Sequence, residues 1–266
     1  MSADLETELA DRFDPREGGA GARRALRGLA GVAAFVLVWA VAARFNPDYV
    51  LPGPLATGET FLTEVRSGRA LDALASSVQH WLLGTVVGTT LGVGLGVLLG
   101  WSDAAEDGAA PLVRLLRPVP PLALTGFGIA WFGINHVGAA FIVAAGAFWI
   151  NYYAAYGGVR SVSDDLLDVA RSLGVRSDLG LIRKVVLPSA SPEILTGVRT
   201  GVGRCWMLII AAETIGVAGV GNRILTAASN LAVDVVIAYI LVMSLVYLVL
   251  DTLFQAAEDR ILGWRA

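Results

Sequence analysis

From Pro118 to Val159 the chain runs for 42 residues without one Asp, Glu, Lys or Arg. A helix crosses the hydrocarbon layer of a bilayer with roughly 20 apolar residues, so this run is long enough for two crossings. Inside lipid every backbone N–H and C=O must find its partner within the protein, which leaves helices or closed barrels. The apolar stretches here are continuous and of helical length, so the expectation is an all-α, polytopic membrane protein. Composition agrees: 16% of the residues are charged, against about 25% in soluble domains.

Six transmembrane helices can be read: Gly28 to Ala43, Trp81 to Trp101, Pro118 to Gly133, Val137 to Tyr156, Thr196 to Ile215 and Val235 to Ala256. Trp81 and Trp101 stand where an interfacial aromatic belt would place them. Gly84, Gly88, Gly92, Gly96 and Gly100 recur at every fourth position, a smooth stripe that lets another helix approach closely. Residues 1–27 read as a disordered cytoplasmic tail, acidic and then basic, and 28–266 as one transmembrane domain. Placing both termini in the cytoplasm puts 16 Lys and Arg residues inside and four outside (Arg44, Arg66, Arg69, Arg223), as the positive-inside rule asks. The expected location is the cell membrane.

Several chemistries lack support. The net charge of −3 argues against a nucleic-acid partner. The lone lysine, Lys184, follows no glycine-rich loop, so the chain has no phosphate-cradling ATP site of its own. His80 and His136, the two histidines, show neither metal-ligand spacing nor a visible partner. No catalytic residue, metal or cofactor is expected. Cys205, the single cysteine, sits beside Trp206 and Met207 and reads as a buried thiol.

The polar segment from about 160 to 195 is too polar to span and too patterned to be a linker. Ser163 reads as an N-cap, with Asp164 and Asp165 in the first turn, where the helix dipole favours negative charge. Leu166, Val169, Ala170 and Leu173 make an apolar face, and Gly174 suits a left-handed cap. Ser177 and Asp178 open a second short helix, which Leu187-Pro188 is expected to stop. Such a helix–glycine–helix hairpin is either a knob for a soluble partner to grip or an amphipathic hairpin on the lipid surface.

Asp168-Val169-Ala170, Gly174 and Val185-Val186-Leu187-Pro188 resemble the EAA loop of the permease subunits of ABC importers. The surrounding text is similar to the nitrate, sulfonate, taurine and bicarbonate branch: Leu51-Pro52-Gly53-Pro54, Arg117-Pro118-Val119-Pro120-Pro121-Leu122-Ala123, Ile129-Ala130-Trp131-Phe132-Gly133-Ile134, Ile194-Leu195-Thr196-Gly197-Val198-Arg199, and Ala212-Glu213 followed by Gly219-Val220-Gly221. The resemblance runs from about Leu29 to Trp264. It implies coupling helices that dock on a separate ABC ATP-binding subunit, an extracytoplasmic solute-binding protein that delivers cargo, and a homodimer with one path. Asp168 stands where Glu is usual and Val169 where Ala is usual. The stretch from Gly174 to Val185 is one residue longer than the family pattern, and the turn between the two short helices is expected to absorb it.

Ionisable residues within spans are functional candidates, because an uncompensated charge at mid-bilayer is costly. Glu213 is expected deep in the fifth span. Arg199 and Arg204 are expected at its cytoplasmic start, as membrane anchors or as an electropositive vestibule. Asn151 and Tyr152, with Tyr153, bring polar groups to the fourth span. These are the candidates for the translocation path, and the solute implied by the resemblance is a small oxyanion such as nitrate, sulfonate or taurine. The rival readings are an ion-gradient-driven secondary transporter, an intramembrane enzyme, and a structural or signalling membrane protein.

Overall fold

In the computed structural model, which describes residues 15–261, the chain is helical and has no strand among the described residues. Helix α1 is Pro15–Ala43, α2 Pro54–Arg66, α3 Arg69–Trp101 and α4 Asp103–Leu116. A 3-10 turn, Pro121–Leu124, leads into α5, Thr125–Phe132, and α6 follows at His136–Arg160. The short helices α7, Asp164–Ser172, and α8, Asp178–Leu181, precede a π turn, Ile182–Val186. That turn runs directly into α9, Leu187–Glu213; α10, Val220–Ser229, and α11, Val233–Ile261, close the chain.

The glycine stripe organises the bundle. Gly84 lies on Ala140, Gly88 on Ala144, Gly92 on Phe148 and Gly96 on Tyr152, each against backbone, and Gly100 lies on the Val159 side chain and the Tyr156 carbonyl. Residue numbers rise together along this contact, so α3 and α6 are parallel. Parallel neighbours require the chain to return between them. It does so antiparallel to α6: Arg117 stacks over Tyr153, Pro121 lies by Gly146, and Gly128 by Gly138. α9 then runs antiparallel to α6, with Gly197 on Ala154 and Leu208 by Gly146. α11 runs antiparallel to α9, since Trp206 reaches Met243 and Arg199 reaches Asp251.

Several expected boundaries shift. Among the described residues, five helices are long and apolar enough to cross a membrane, and the third expected span is a shorter apolar segment, Pro121–Phe132. Pro118, Pro120 and Pro121 remove backbone donors and break this crossing. The first 14 residues of the expected tail lie outside the described residues. From Pro15 the tail is helical rather than disordered, since a proline suits the first helical position and Ala and Arg favour continuation. Trp81 is no belt residue. α3 starts twelve residues earlier, at Arg69, so Trp81 is buried against Trp206, edge to face at 5.8 Å between ring centroids, and donates to the Val202 carbonyl at 3.1 Å.

The face opposite α7 and α8 is closed by α2 and α10. Trp39 donates to the Pro52 carbonyl at 3.0 Å, tying α1 to the Leu51–Pro54 turn. Glu64 is buried, and its carboxylate accepts from Arg69 at 2.7 Å, Arg223 at 3.0 Å and Tyr239 at 2.7 Å. Burial pushes this carboxyl up, but the three hydrogen bonds outweigh it and hold the group below the usual 4.5. The unfolded chain therefore takes up the proton first as pH falls. Stability from this cluster is complete above 4.5 and is lost as pH falls through the depressed folded value. Hydrogen exchange in α2 and α10 should accelerate as pH falls below the ordinary carboxylate range, after correction for intrinsic rates, and Glu64→Gln should flatten that response while loosening both helices at neutral pH.

Candidate functional site

The polar segment folds as a hairpin fixed to the bundle. Leu167, Val186 and Ala190 are buried with Val159 of α6, and Val97 and Trp101 of α3 pack against them. α7 ends in a Schellman motif: the Gly174 N–H bonds the Arg171 carbonyl at 3.0 Å and the Val175 N–H bonds Ala170 at 3.1 Å. Gly174 has φ +96°, a conformation side chains disfavour. Ser163 stands at the N-cap without a side-chain bond, whereas Ser177 accepts from the Gly180 N–H at 3.1 Å.

One expectation changes here. Leu187-Pro188 does not stop a helix, because it begins α9; proline is tolerated in a first turn, where no intrahelical donor is needed. It follows directly on the π turn Ile182–Val186.

The hairpin buries Ala170 and presents Val169, Leu173 and Leu179, the last two 81% and 75% exposed. Asp168 is exposed and pairs within its own helix with Arg171 at 2.8 Å, a surface pair worth at most about 1 kcal/mol.

The expected path residues separate. Asn151 is buried, donating to Ala147 O at 2.8 Å and Thr89 Oγ1 at 3.1 Å, and packs against Gly201. Tyr152 is buried on the glycine stripe and stacks with Phe148 and Tyr156. Both sit in helix packing. Arg199 pairs with Asp251 of α11 at 3.2 Å. Arg204 is exposed. Because α9 begins at Leu187, Arg204 is not at its start but about 26 Å along it, at 1.5 Å per residue. It lies on one exposed helical face with Glu193, Thr196, Thr200 and Thr214. A guanidinium in lipid at that depth costs at least about 2.5–3.5 kcal/mol, so this face looks into water or onto another subunit.

Glu213 is not at mid-span. It is the last residue of α9 and is fully buried. Its Oε2 accepts from the Gly221 N–H at 2.7 Å, and its Oε1 lies 2.9 Å from His80 Nδ1. His80 Nε2 in turn lies 2.6 Å from His136 Nδ1. The loop from Gly216 to Gly219 wraps the carboxylate so tightly that a Cβ at Gly219 would collide with it. His80 is buried and His136 is exposed at the start of α6. One carboxylate thus joins α9 to α3 and to the first turn of α10, and through His80 it reaches α6. The histidines, without partners on the sequence's evidence, have each other and Glu213, and 133 residues separate His80 from that carboxylate. No local spacing signals such a contact.

Residues 88–263 match the family model described as binding-protein-dependent transport system inner membrane component. The taurine transport system permease protein TauC of Escherichia coli K12 is 31% identical over 241 residues, covering 88% of this chain and 87% of its own length. The bicarbonate transport system permease protein CmpB of Synechococcus elongatus is 30% identical over 226 residues, covering 80% and 81%. In fold, the chain is similar to one from the MetNI methionine ABC transporter solved in inward-facing conformations. The TM-score is 0.62 at 17% identity, over 74% of this chain and 96% of that one. A hairpin seated on a bundle of membrane-spanning helices, and this match over most of the length, place the chain in the family of binding-protein-dependent inner membrane components: it is a permease subunit of an ABC importer, a multi-pass membrane protein that works with a separate ATP-binding subunit and a solute-binding protein.

Proposed function

We propose that two copies of this chain form one path for a small oxyanion of the nitrate, sulfonate, taurine or bicarbonate kind. The segment containing Asp168, Val169, Ala170, Gly174, Leu187 and Pro188 docks on the ATP-binding subunit. Both termini and the hairpin then face the cytoplasm, and α2 and α10 face the solute-binding protein. The observation that carries this reading is an exposed apolar knob, Val169, Leu173 and Leu179, on a base packed into α3, α6 and α9. Exposed leucines on a rigid base suit a groove in a soluble partner. Their anchorage passes that partner's motion into three crossings at once. The path wall is the exposed face of α9 that holds Arg204.

Co-purification with the ATP-binding subunit tests the docking. Leu173→Arg should lower recovery of that subunit at least about tenfold, since loss of about 1.4 kcal/mol at an interface anchor suffices. Gly174→Trp and Asp168→Arg should weaken it too, with the permease itself still monodisperse. Full recovery with all three variants would remove the hairpin as the docking element. Labelling of single cysteines at 166 and 173 from outside intact cells would reverse the orientation.

A further inference from the structure

Arg204 lies nine residues before Glu213, about 14 Å from the outer end of α9 at 1.5 Å per residue. It is level with Gly146 and Ile150, near the middle of α6. No hydrogen bond or ion pair reaches its guanidinium among the described residues. Beside it opens a cleft of about 350 Å³, walled by the Arg117–Pro121 segment, by Gly146, Trp149 and Ile150 of α6, and by Arg204, Cys205 and Leu208 of α9.

The lining has a definite chemistry. It holds two guanidiniums, Arg117 and Arg204, and no carboxylate. Arg117 is held with its Cζ 4.7 Å from the Tyr153 ring centroid, a cation–π contact that fixes its plane. The other walls are proline, Trp149, Ile150 and Leu208. Gly146 carries no side chain, and Leu208 packs into the place where its Cβ would stand, which brings α9 close to α6 at the floor. Two cations without a counter-charge create a positive potential that an anion offsets. A guanidinium presents its donors as a planar fork that matches paired oxygens. The volume lies at the small end of ligand pockets.

We propose that this cleft is an anion-binding station on the path: Arg204 takes the oxyanion head, Arg117 guards the mouth, and Trp149 with Leu208 receives a small apolar remainder. The broken third crossing is what makes the station. A continuous helix from 118 to 133 would fill the space that the Pro118–Pro121 bend leaves open. Selection here is by charge and size, a second check after the solute-binding protein. The inference rests on the importer reading above and adds the residues that hold the solute.

The test uses the purified complex of the full chain with its ATP-binding subunit. Nitrate, bicarbonate, methanesulfonate and sulfate are titrated at constant ionic strength against gluconate, with urea as the uncharged control, and binding is read from thermal stability and tryptophan fluorescence. At least one of the four anions should saturate, and urea should not. Arg204→Gln should raise the half-saturating concentration about tenfold or more, as loss of a charge-assisted contact does. Arg204→Lys should recover part of it, and Trp149→Leu should diminish the fluorescence change. Saturation at the same concentration in wild type and Arg204→Gln, or no saturation by any of the four anions, overturns the station. Failure of the ATP-binding subunit to co-purify overturns the docking proposed above instead, so the two are separable. Should Arg204→Gln not fold, Arg117→Gln and Trp149→Leu carry the same comparison.

Discussion

Gly96→Ala and Gly94→Ala, two residues apart on α3, should have opposite effects. At Gly96 a Cβ would stand 2.5 Å from the Tyr152 carbonyl oxygen and 2.8 Å from Ala155 Cβ, whereas at Gly94 nothing lies within 4 Å. The obstacle at Gly96 is mostly backbone and cannot rotate away. α3 and α6 must separate along a contact that carries five glycines, and small residues are what let membrane helices pack this closely. The cost is on the order of 3 kcal/mol, within the range of severe core disruptions and short of the largest. Gly94→Ala adds no clash and gains up to about 1 kcal/mol of helix propensity. Thermal unfolding followed by size-exclusion chromatography in mild detergent should show Gly96→Ala aggregating many degrees below wild type, and Gly94→Ala at or above it. Equal behaviour of the two would mean that the stripe is not the packing seam.

Glu213→Ala should be the other severe change. It leaves the Gly221 N–H without its acceptor and His80 Nδ1 without its partner in a fully buried place. Orphaning one buried hydrogen-bonding group costs about 1–3 kcal/mol, and two are orphaned here. The damage should concentrate at the end of the bundle where α9 meets α10. The loop from Gly216 to Gly219 is shaped around the carboxylate, and Val220, whose N–H donates to Ser77 Oγ at 2.9 Å, is the next residue to be released. Glu213→Gln keeps the shape and one acceptor oxygen, so it should retain most of the stability that Ala loses. Hydrogen exchange should show α10 and the N-terminal part of α6 opening in Glu213→Ala while α7 and α8 stay protected. Uniform loosening of the whole chain would argue that Glu213 is general packing rather than the pin of the outer loop. His80→Phe, which keeps ring volume and removes both ring nitrogens, should fall between the two Glu213 variants.

Much of this protein is written locally. The charge-free run, the hydrophobic lengths and the asymmetry of basic residues call for crossing helices, because lipid leaves the backbone few ways to satisfy itself. The glycine stripe is periodic, so its packing role can be read from spacing, and it is buried as that spacing asks. The hairpin is equally legible: Gly174 ends α7 by the backbone conformation that glycine favours, and Ser177 caps α8. These signals lie within a few residues of the structure they specify.

What escaped the sequence depends on contacts between distant segments. Pro188 looks like a helix stop, but the π turn before it turns that stop into a start. Asn151 and Tyr152 look like path residues because they are polar, yet tight packing against Thr89, Phe148 and Tyr156 buries them. Arg204 reads as the start of a span, yet it stands well inside α9, which begins at Leu187. The partner of Glu213 is a histidine 133 residues earlier, and a single sequence records nothing of that separation.

The sequence by itself determined that this chain crosses a membrane as helices, which of its helices pack through glycine, and where a hairpin of short helices would form, since each follows from side-chain chemistry repeated at helical spacing. Only the tertiary structure decided which polar groups meet inside the bundle, that the third crossing is broken, and that Arg204 faces a cleft. Those outcomes come from how parallel and antiparallel helices bring remote residues to the same depth, and no local pattern encodes that depth.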